Sequence, residues 1–479
     1  MGKESNRKAL KAGVWYTVCN FLVRAIGFIS TPIFTRVLSV ADVGNFSNMM
    51  SWVNLLGIVT TFDLYSSLTL ARFDYKNEFK EYISSILVLS SCITFIFYCI
   101  FLGFKSILLP LLGFSELQLH IAFAYLFTYP ALTLFQMQKQ VTYEHKPIII
   151  VSVLSSVLST FGSLLMAVIL SDKFYGRMMG YYIPNIIINL VLYIIIIKEG
   201  KKVSHKYWKY ALAISAPLVF HLLAGYVLNS SDIIMIRNMR GSNETALYSI
   251  SYSCAAIIQL LWSSMNSAWA PWSTEMMEKK DYNALSRAAK PFLLLFGFLV
   301  TCCILIAPEI LLFMGGKAYV VAKYVIPPVM VGYMFQFIYS LYVNIEFFLK
   351  KQKYIASGTI FAALVNIVLN FCFIPQYGYI AAAYTTLVSY IVLFIVHFVL
   401  VMRLGKKGWY DDKFVLLSAL TCIVIVVVSQ LLYEITVLRY LIILAIGFCA
   451  TIFMIINRKI ICSAWKEKSF SLILDKFIK

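Results

Sequence analysis

The sequence predicts an all-α polytopic membrane protein of about fourteen transmembrane helices, and three observations carry that prediction. The 479 residues are 61% hydrophobic and only 13% charged, the mean hydropathy is +0.82, and the apolar residues fall in long unbroken runs. No soluble domain of this length tolerates such a composition. A span needs ~20 apolar residues to cross roughly 30 Å of hydrocarbon, and each backbone group must be satisfied inside the span, so the runs are expected to be helices. Their length excludes the alternating strands of a barrel.

Short polar loops divide these runs into spans near 12–34, 44–68, 83–104, 117–136, 147–170, 176–198, 208–231, 245–271, 290–312, 325–349, 355–374, 378–402, 414–433 and 438–457. The first follows a basic stretch, as a signal peptide does. It is nevertheless long, contains Arg24 and lacks a small-residue cleavage site, so it reads as an uncleaved span. The fourth and eleventh carry polar residues and breakers. Pro32, Pro130, Pro184, Pro217 and Pro271 lie within or at the ends of spans, where each removes a backbone hydrogen bond and permits a kink. Among them, Pro217 and Pro271 are hinge candidates. Most of the tryptophans, Trp15, Trp52, Trp262, Trp269, Trp272 and Trp409 among them, are read as interfacial anchors.

The net charge of +19 is explained by its distribution. Of the 41 Lys and Arg residues, 31 fall in the tails and loops on the side of the N-terminus and nine in the opposite loops; Arg24 lies within a span. By the positive-inside rule both termini of this multi-pass protein are expected to be cytoplasmic. The excess is topology, with some attraction to anionic membrane lipids, and nucleic acid is not an expected partner. Nine of the ten cysteines fall inside apolar spans and Cys462 in the C-terminal tail. No Cys/His spacing suggests a metal, so the cysteines read as small apolar fillers.

The short loops leave no room for an extramembrane domain, so function is expected within the helices. The chain also repeats itself with a period of about 200 residues. Ser39–Ser47 after the first span matches Gly241–Ser249 after the seventh; Lys146 opens the fifth and Lys353 the eleventh; Tyr175-Gly176 and Tyr377-Gly378 follow. This organisation predicts two pseudo-symmetric six-helix lobes, 1–200 and 201–405, with two extra C-terminal helices and a tail over 406–479.

The segments Pro32–Ser39 with Asp42-Val-Gly44, Ala307–Gly315 with Tyr319, and Tyr377–Ala383 with Ser389-Tyr390 resemble the Wzx-type polysaccharide flippases. Those belong to the superfamily that also holds multidrug extruders and lipid II flippases. The resemblance spans nearly the whole chain. It implies alternating access around a cavity between two lobes, and a cargo of undecaprenyl-pyrophosphate-linked oligosaccharide for O antigen or another surface polysaccharide. A polysaccharide polymerase and chain-length machinery would be the accompanying partners. One position departs from the pattern: Asp63 stands where a small residue is expected.

Ionisable residues at lipid depth cost about 2.5–3.5 kcal/mol each on insertion scales, which makes each a functional candidate. Arg24 and His221 occupy comparable depths in the leading helices of the two proposed lobes, and with Asp63 they are the expected cargo-binding residues. Arg24 and Asp63 could instead pair with one another and play a structural part. Asp63, His221, Asp232 and Glu346 are the ion-coupling candidates, although Glu346 sits four residues before Lys350 and a simple surface pair would account for it. Glu309, after Pro308, reads as structural.

No P-loop, nucleophile elbow, HExxH or Rossmann fingerprint is present, so neither an enzyme nor a bound cofactor is expected. A proton or sodium gradient is the remaining source of energy. The rival of another class is a membrane-embedded polymerase or glycosyltransferase, which would need a long outward loop with catalytic residues. Nearer rivals are a lipid II flippase and a cation-coupled drug exporter; the single cation at mid-depth favours an anionic cargo.

Overall fold

The computed structural model describes residues 3–456, with side chains from 13 to 449 apart from residue 14. Cys462 and the basic C-terminal tail lie outside the described residues, as do the side chains of the four N-terminal cations. Among the described residues there are seventeen α-helices and no strand. Twelve helices are long and apolar enough to cross a membrane, and a thirteenth crossing is a bent pair. The last apolar helix falls on the fourteenth expected span.

The chain divides into two compact units, the first reaching Ser249 and including Met314–Gly316, the second holding the remainder. The first contains α1 (Lys3–Val37), α2 (Val40–Thr61), α3 (Leu68–Asp74), α4 (Phe79–Gly103), α5 (Lys105–Leu112), α6 (Glu116–Val141), α7 (His145–Ile169), α8 (Lys173–Gly200), α9 (His205–Arg240) and the start of α10 (Ser242–Glu278). Loop residues punctuate these helices. Ser39 caps α2 by accepting the Asp42 N–H, Ser115 and Gln118 form a capping box on α6, and Asp172 caps α8.

With lipid outside, there is no hydrophobic drive between helices, and close packing takes its place. Ser155, Ser159, Ser163 and Ala167 recur at every fourth residue of α7 and are buried. Opposite them, α8 presents Gly176 and Gly180; a Cβ on Gly180 would lie 2.2 Å from the Gly162 carbonyl oxygen. The two segments that read as copies also meet: Ser47 Oγ lies 3.0 Å from Ser249 Oγ, and a Cβ on Gly44 would lie 1.8 Å from the Ser242 carbonyl oxygen. The outer faces stay apolar and exposed, as at Phe161 and Ile187.

The second unit contains α11 (Tyr282–Leu305), α12 (Ala307–Gly315, apart from its last two residues), α13 (Ile326–Phe348), α14 (Gln352–Tyr377), α15 (Tyr379–Arg403), α16 (Asp412–Glu434) and α17 (Thr436–Ile456). Its centre is α13, nearly all of which is buried. α15, α14, α16 and α11 surround it.

Two boundaries differ from expectation. The ninth span stops at Leu305 and Glu309 belongs to the separate helix α12, because the chain turns at Ile306-Ala307 and Pro308 suits a first helical turn. There Glu309 receives a two-pronged contact from Arg439 (2.7 and 2.6 Å) and a hydrogen bond from Tyr440 (2.6 Å). The second span is broken, with 46° between Val40–Thr61 and Leu64–Asp74.

Candidate functional site

The break in the second span builds the most distinctive polar site of the first unit. α2 ends at Thr61, and Phe62 and Asp63 both take left-handed backbone conformations, with φ of 49° and 50°. A 3-10 turn, Leu64–Ser67, then leads into α3. Each left-handed non-glycine residue costs on the order of 1–2 kcal/mol, and aspartate tolerates the geometry better than most. This backbone explains the small residue expected at position 63: glycine would sit there without strain.

The Asp63 carbonyl accepts the Ser66 N–H and the Ser215 hydroxyl of α9, both at 3.0 Å. Asp63 is 2% exposed, and its Oδ1 has no hydrogen-bond partner. It borders a cavity of about 70 Å³, whose polar lining is Asn54, Thr61, Tyr65, Tyr125 and Tyr129 and whose α9 wall is Leu222. That volume takes a few waters or a partly hydrated cation, and the lining supplies the oxygens such an ion requires. The tyrosines continue inward, Tyr125 stacking on Tyr129 and meeting Tyr182 edge-on.

The other expected residues lie at varied distances from this site. Arg24 is exposed on α1 and, among the described residues, makes no hydrogen bond or ion pair, so a structural Arg24–Asp63 pair is not formed. His221 is exposed on α9, next to Leu222 of the cavity wall, with Pro217 one turn before it. α9 runs unbroken past Pro217, and α10 past Pro271. Asp232 is buried near the other end of α9, where its Oδ2 accepts the Tyr248 hydroxyl at 2.5 Å. The break thus gathers Asp63 with the α9 segment that carries Pro217 and His221, but not Asp232.

Glu346 is not a surface residue paired with Lys350. It is fully buried on α13 and meets His397 of α15, Oε1 to Nδ1 at 2.8 Å, while Lys350 is exposed. The helix ends at Phe348 and Lys350 lies beyond it with φ of 58°, so the expected i,i+4 geometry is lost. His397 could have been found by the rule that singled out His221, since it too interrupts an apolar run. A second polar cluster joins α14 to α15. Asn370 donates to Asn366 Oδ1 at 3.1 Å, Asn366 to Thr386 at 3.3 Å, and Thr385 to Asn370. The four-residue spacing of the two asparagines was legible beforehand.

Residues 9–277, more than half of the chain, match the family described as polysaccharide biosynthesis protein. The chain belongs to that family. Residues 217–373 also match the MatE family. Among similar proteins, an uncharacterized membrane protein of Methanocaldococcus jannaschii is 22% identical over 85% of this chain and 87% of its own length. The Lsg locus putative protein 1 of Haemophilus influenzae is 20% identical over 75% of this chain and 90% of its own. In structure, this family member is similar to the lipid II flippase MurJ in an inward closed conformation, with a TM-score of 0.65 at 16% identity, covering 92% of this chain and all of that one. It is also similar to an inward-facing multidrug resistance MATE transporter of the MOP superfamily, with a TM-score of 0.57 at 15% identity, covering 82% and 96% of the two chains. The polysaccharide biosynthesis family member is therefore a multi-pass membrane protein with the fold those transporters share.

Proposed function

We propose that this protein is a Wzx-type flippase, which carries an undecaprenyl-pyrophosphate-linked oligosaccharide repeat unit across the cytoplasmic membrane by ion-driven alternating access, for surface polysaccharide biosynthesis. Membership of the polysaccharide biosynthesis family and a fold shared with a lipid flippase support the class. The observation that carries the cargo is Arg24. It is exposed in an apolar span and engages no acid of the described residues, so its charge is available to a ligand. A pyrophosphate between a lipid tail and a glycan needs such a fixed cation, and a guanidinium grips phosphate oxygens through parallel hydrogen bonds. The same charge disfavours cationic drugs, although the MatE match keeps an exporter as the second reading.

One candidate ion-coupling site on this reading is the Asp63 cavity, whose carboxylate has an oxygen free for a cation or a proton. On the same reading both termini face the cytoplasm, and a polymerase is the protein that uses the product.

The direct test is translocation. Full-length protein in sealed vesicles should move a fluorescent undecaprenyl-pyrophosphate oligosaccharide from one leaflet to the other, read by quenching from outside, and an imposed ion gradient should accelerate it. Movement of a cationic dye but not of the labelled lipid would replace this reading by the exporter.

A further inference from the structure

Glu346 and His397 form a buried acid–imidazole pair in the second unit, and we infer that the pair is a proton-binding site of the transport cycle. This inference rests on the transport reading above and names its coupling ion.

The pair is poorly explained as scaffolding. Neither side chain has any exposure, and beyond their 2.8 Å contact the remaining atoms, Glu346 Oε2 and His397 Nε2, have no hydrogen-bond partner. Buried polar atoms left unpaired cost about 1–3 kcal/mol each, and a buried ion pair often fails to recover its desolvation. Apolar side chains of similar volume would pack α13 against α15 at least as well. What the pair does that they cannot is hold an exchangeable proton. With one proton bound it is neutral overall, whether that proton sits on the carboxylate or on the ring; with none it carries a net negative charge in a dry interior. The deprotonated state therefore belongs to a conformation in which water reaches the pair, which is the link a coupled transporter needs.

The surroundings leave the charge balance to the two residues themselves. On α13, the Tyr339 ring lies 4.8 Å from the imidazole, edge to face. From α14, Gly358 stands directly against the ring, where an added Cβ would lie 2.5 Å from Nε2, and Thr359 is buried beside it in sequence. On α16, Asp412 is engaged with Tyr342 at 3.1 Å, while Asp411, which caps that helix, pairs with Lys290 of α11 at 2.7 Å. Lys350, Lys351 and Lys353 after α13, and Arg403 at the end of α15, are exposed. A sodium ion would need several oxygen ligands, and one carboxylate facing an imidazole nitrogen does not supply them. The chemistry of the pair fits a proton.

The first arm of the test leaves the pair intact. The full chain with His120, His145, His205 and His221 replaced by Gln, none of them buried, retains His397 as its single histidine and is examined in lipid nanodiscs with isotope-labelled histidine. The imidazole resonances should show the ring in two protonation states as the pH is varied, and Glu346→Gln should change the proportion of the two at a fixed pH. A ring that keeps one protonation state throughout, or whose proportions are unaltered in the Glu346→Gln variant, overturns the inference. In vesicles without sodium, a pH gradient should accelerate translocation of the labelled lipid by the natural chain, and Glu346→Gln should abolish the acceleration while gradient-free exchange persists. Acceleration by a sodium gradient and none by a pH gradient also overturns it. If the natural chain moves no labelled lipid while the ring titrates as expected, the cargo reading fails and the proton site stands.

Discussion

The Ser215 hydroxyl donates to the Asp63 carbonyl at 3.0 Å, tying the break in the second span to the helix that carries Pro217 and His221. A carbonyl freed by an interrupted helix is here satisfied by a neighbouring helix. Ser215→Ala should remove about 1 kcal/mol, seen as a melting temperature lowered by a few degrees in detergent. An unchanged melting temperature would mean that the brace does not hold the break.

Asp63 itself separates backbone from charge. Asparagine tolerates the left-handed conformation and keeps the volume, so Asp63→Asn should accumulate normally in the membrane but lose gradient dependence of transport in reconstituted vesicles; His221→Ala should weaken it as well. Asp63→Val, β-branched at φ of 50°, should instead lose stability by about 1–3 kcal/mol. If gradient dependence survives in both Asp63→Asn and His221→Ala, the coupling role of this region is removed.

Arg24→Ala should abolish or severely reduce polymer at the cell surface at equal membrane abundance, and Arg24→Lys should restore it only in part, because an ammonium lacks the planar fork. Normal surface polymer in Arg24→Ala, without overexpression, would make Arg24 a residue of no consequence for cargo.

The 31-to-9 distribution of basic residues predicts an orientation with both termini in the cytoplasm. Reporter fusions at Lys202 and Lys406 should report cytoplasm, and those at Gly241 and Lys317 the opposite side. Two reversed signals would overturn the orientation.

Packing of α7 on α8 predicts a contrast between glycines. Gly180→Leu forces a side chain into the Gly162 backbone and should cost about 1–3 kcal/mol or more. Gly225→Ala has open space on α9 and should leave the melting temperature unchanged or slightly raised.

The spans were legible because hydropathy and loop charge act locally, and every expected position carries a helix. Caps at Ser115 and Asp172 lay where the apolar runs begin. The break at Phe62-Asp63 left only a faint sign, an aspartate in place of a small residue, because nothing in neighbouring residues announces a left-handed backbone. The partners of Glu346 and Glu309 were not legible: His397 and Arg439 lie 51 and 130 residues away, and sequence spacing speaks only for contacts within a helix. For Glu346 the nearby Lys350 supplied a local explanation that the end of α13 cancels.

The glycine against the His397 ring has a consequence for how this sequence can drift. Position 358 admits no side chain while position 397 keeps its imidazole, since even a methyl group would overlap Nε2. The two sites are therefore bound to one another in descent: a lineage that gains bulk at 358 must give up the ring at 397, and with it the partner of Glu346. Homologous sequences should divide accordingly into those that carry glycine and histidine together and those that carry neither, with the acid at 346 following the histidine.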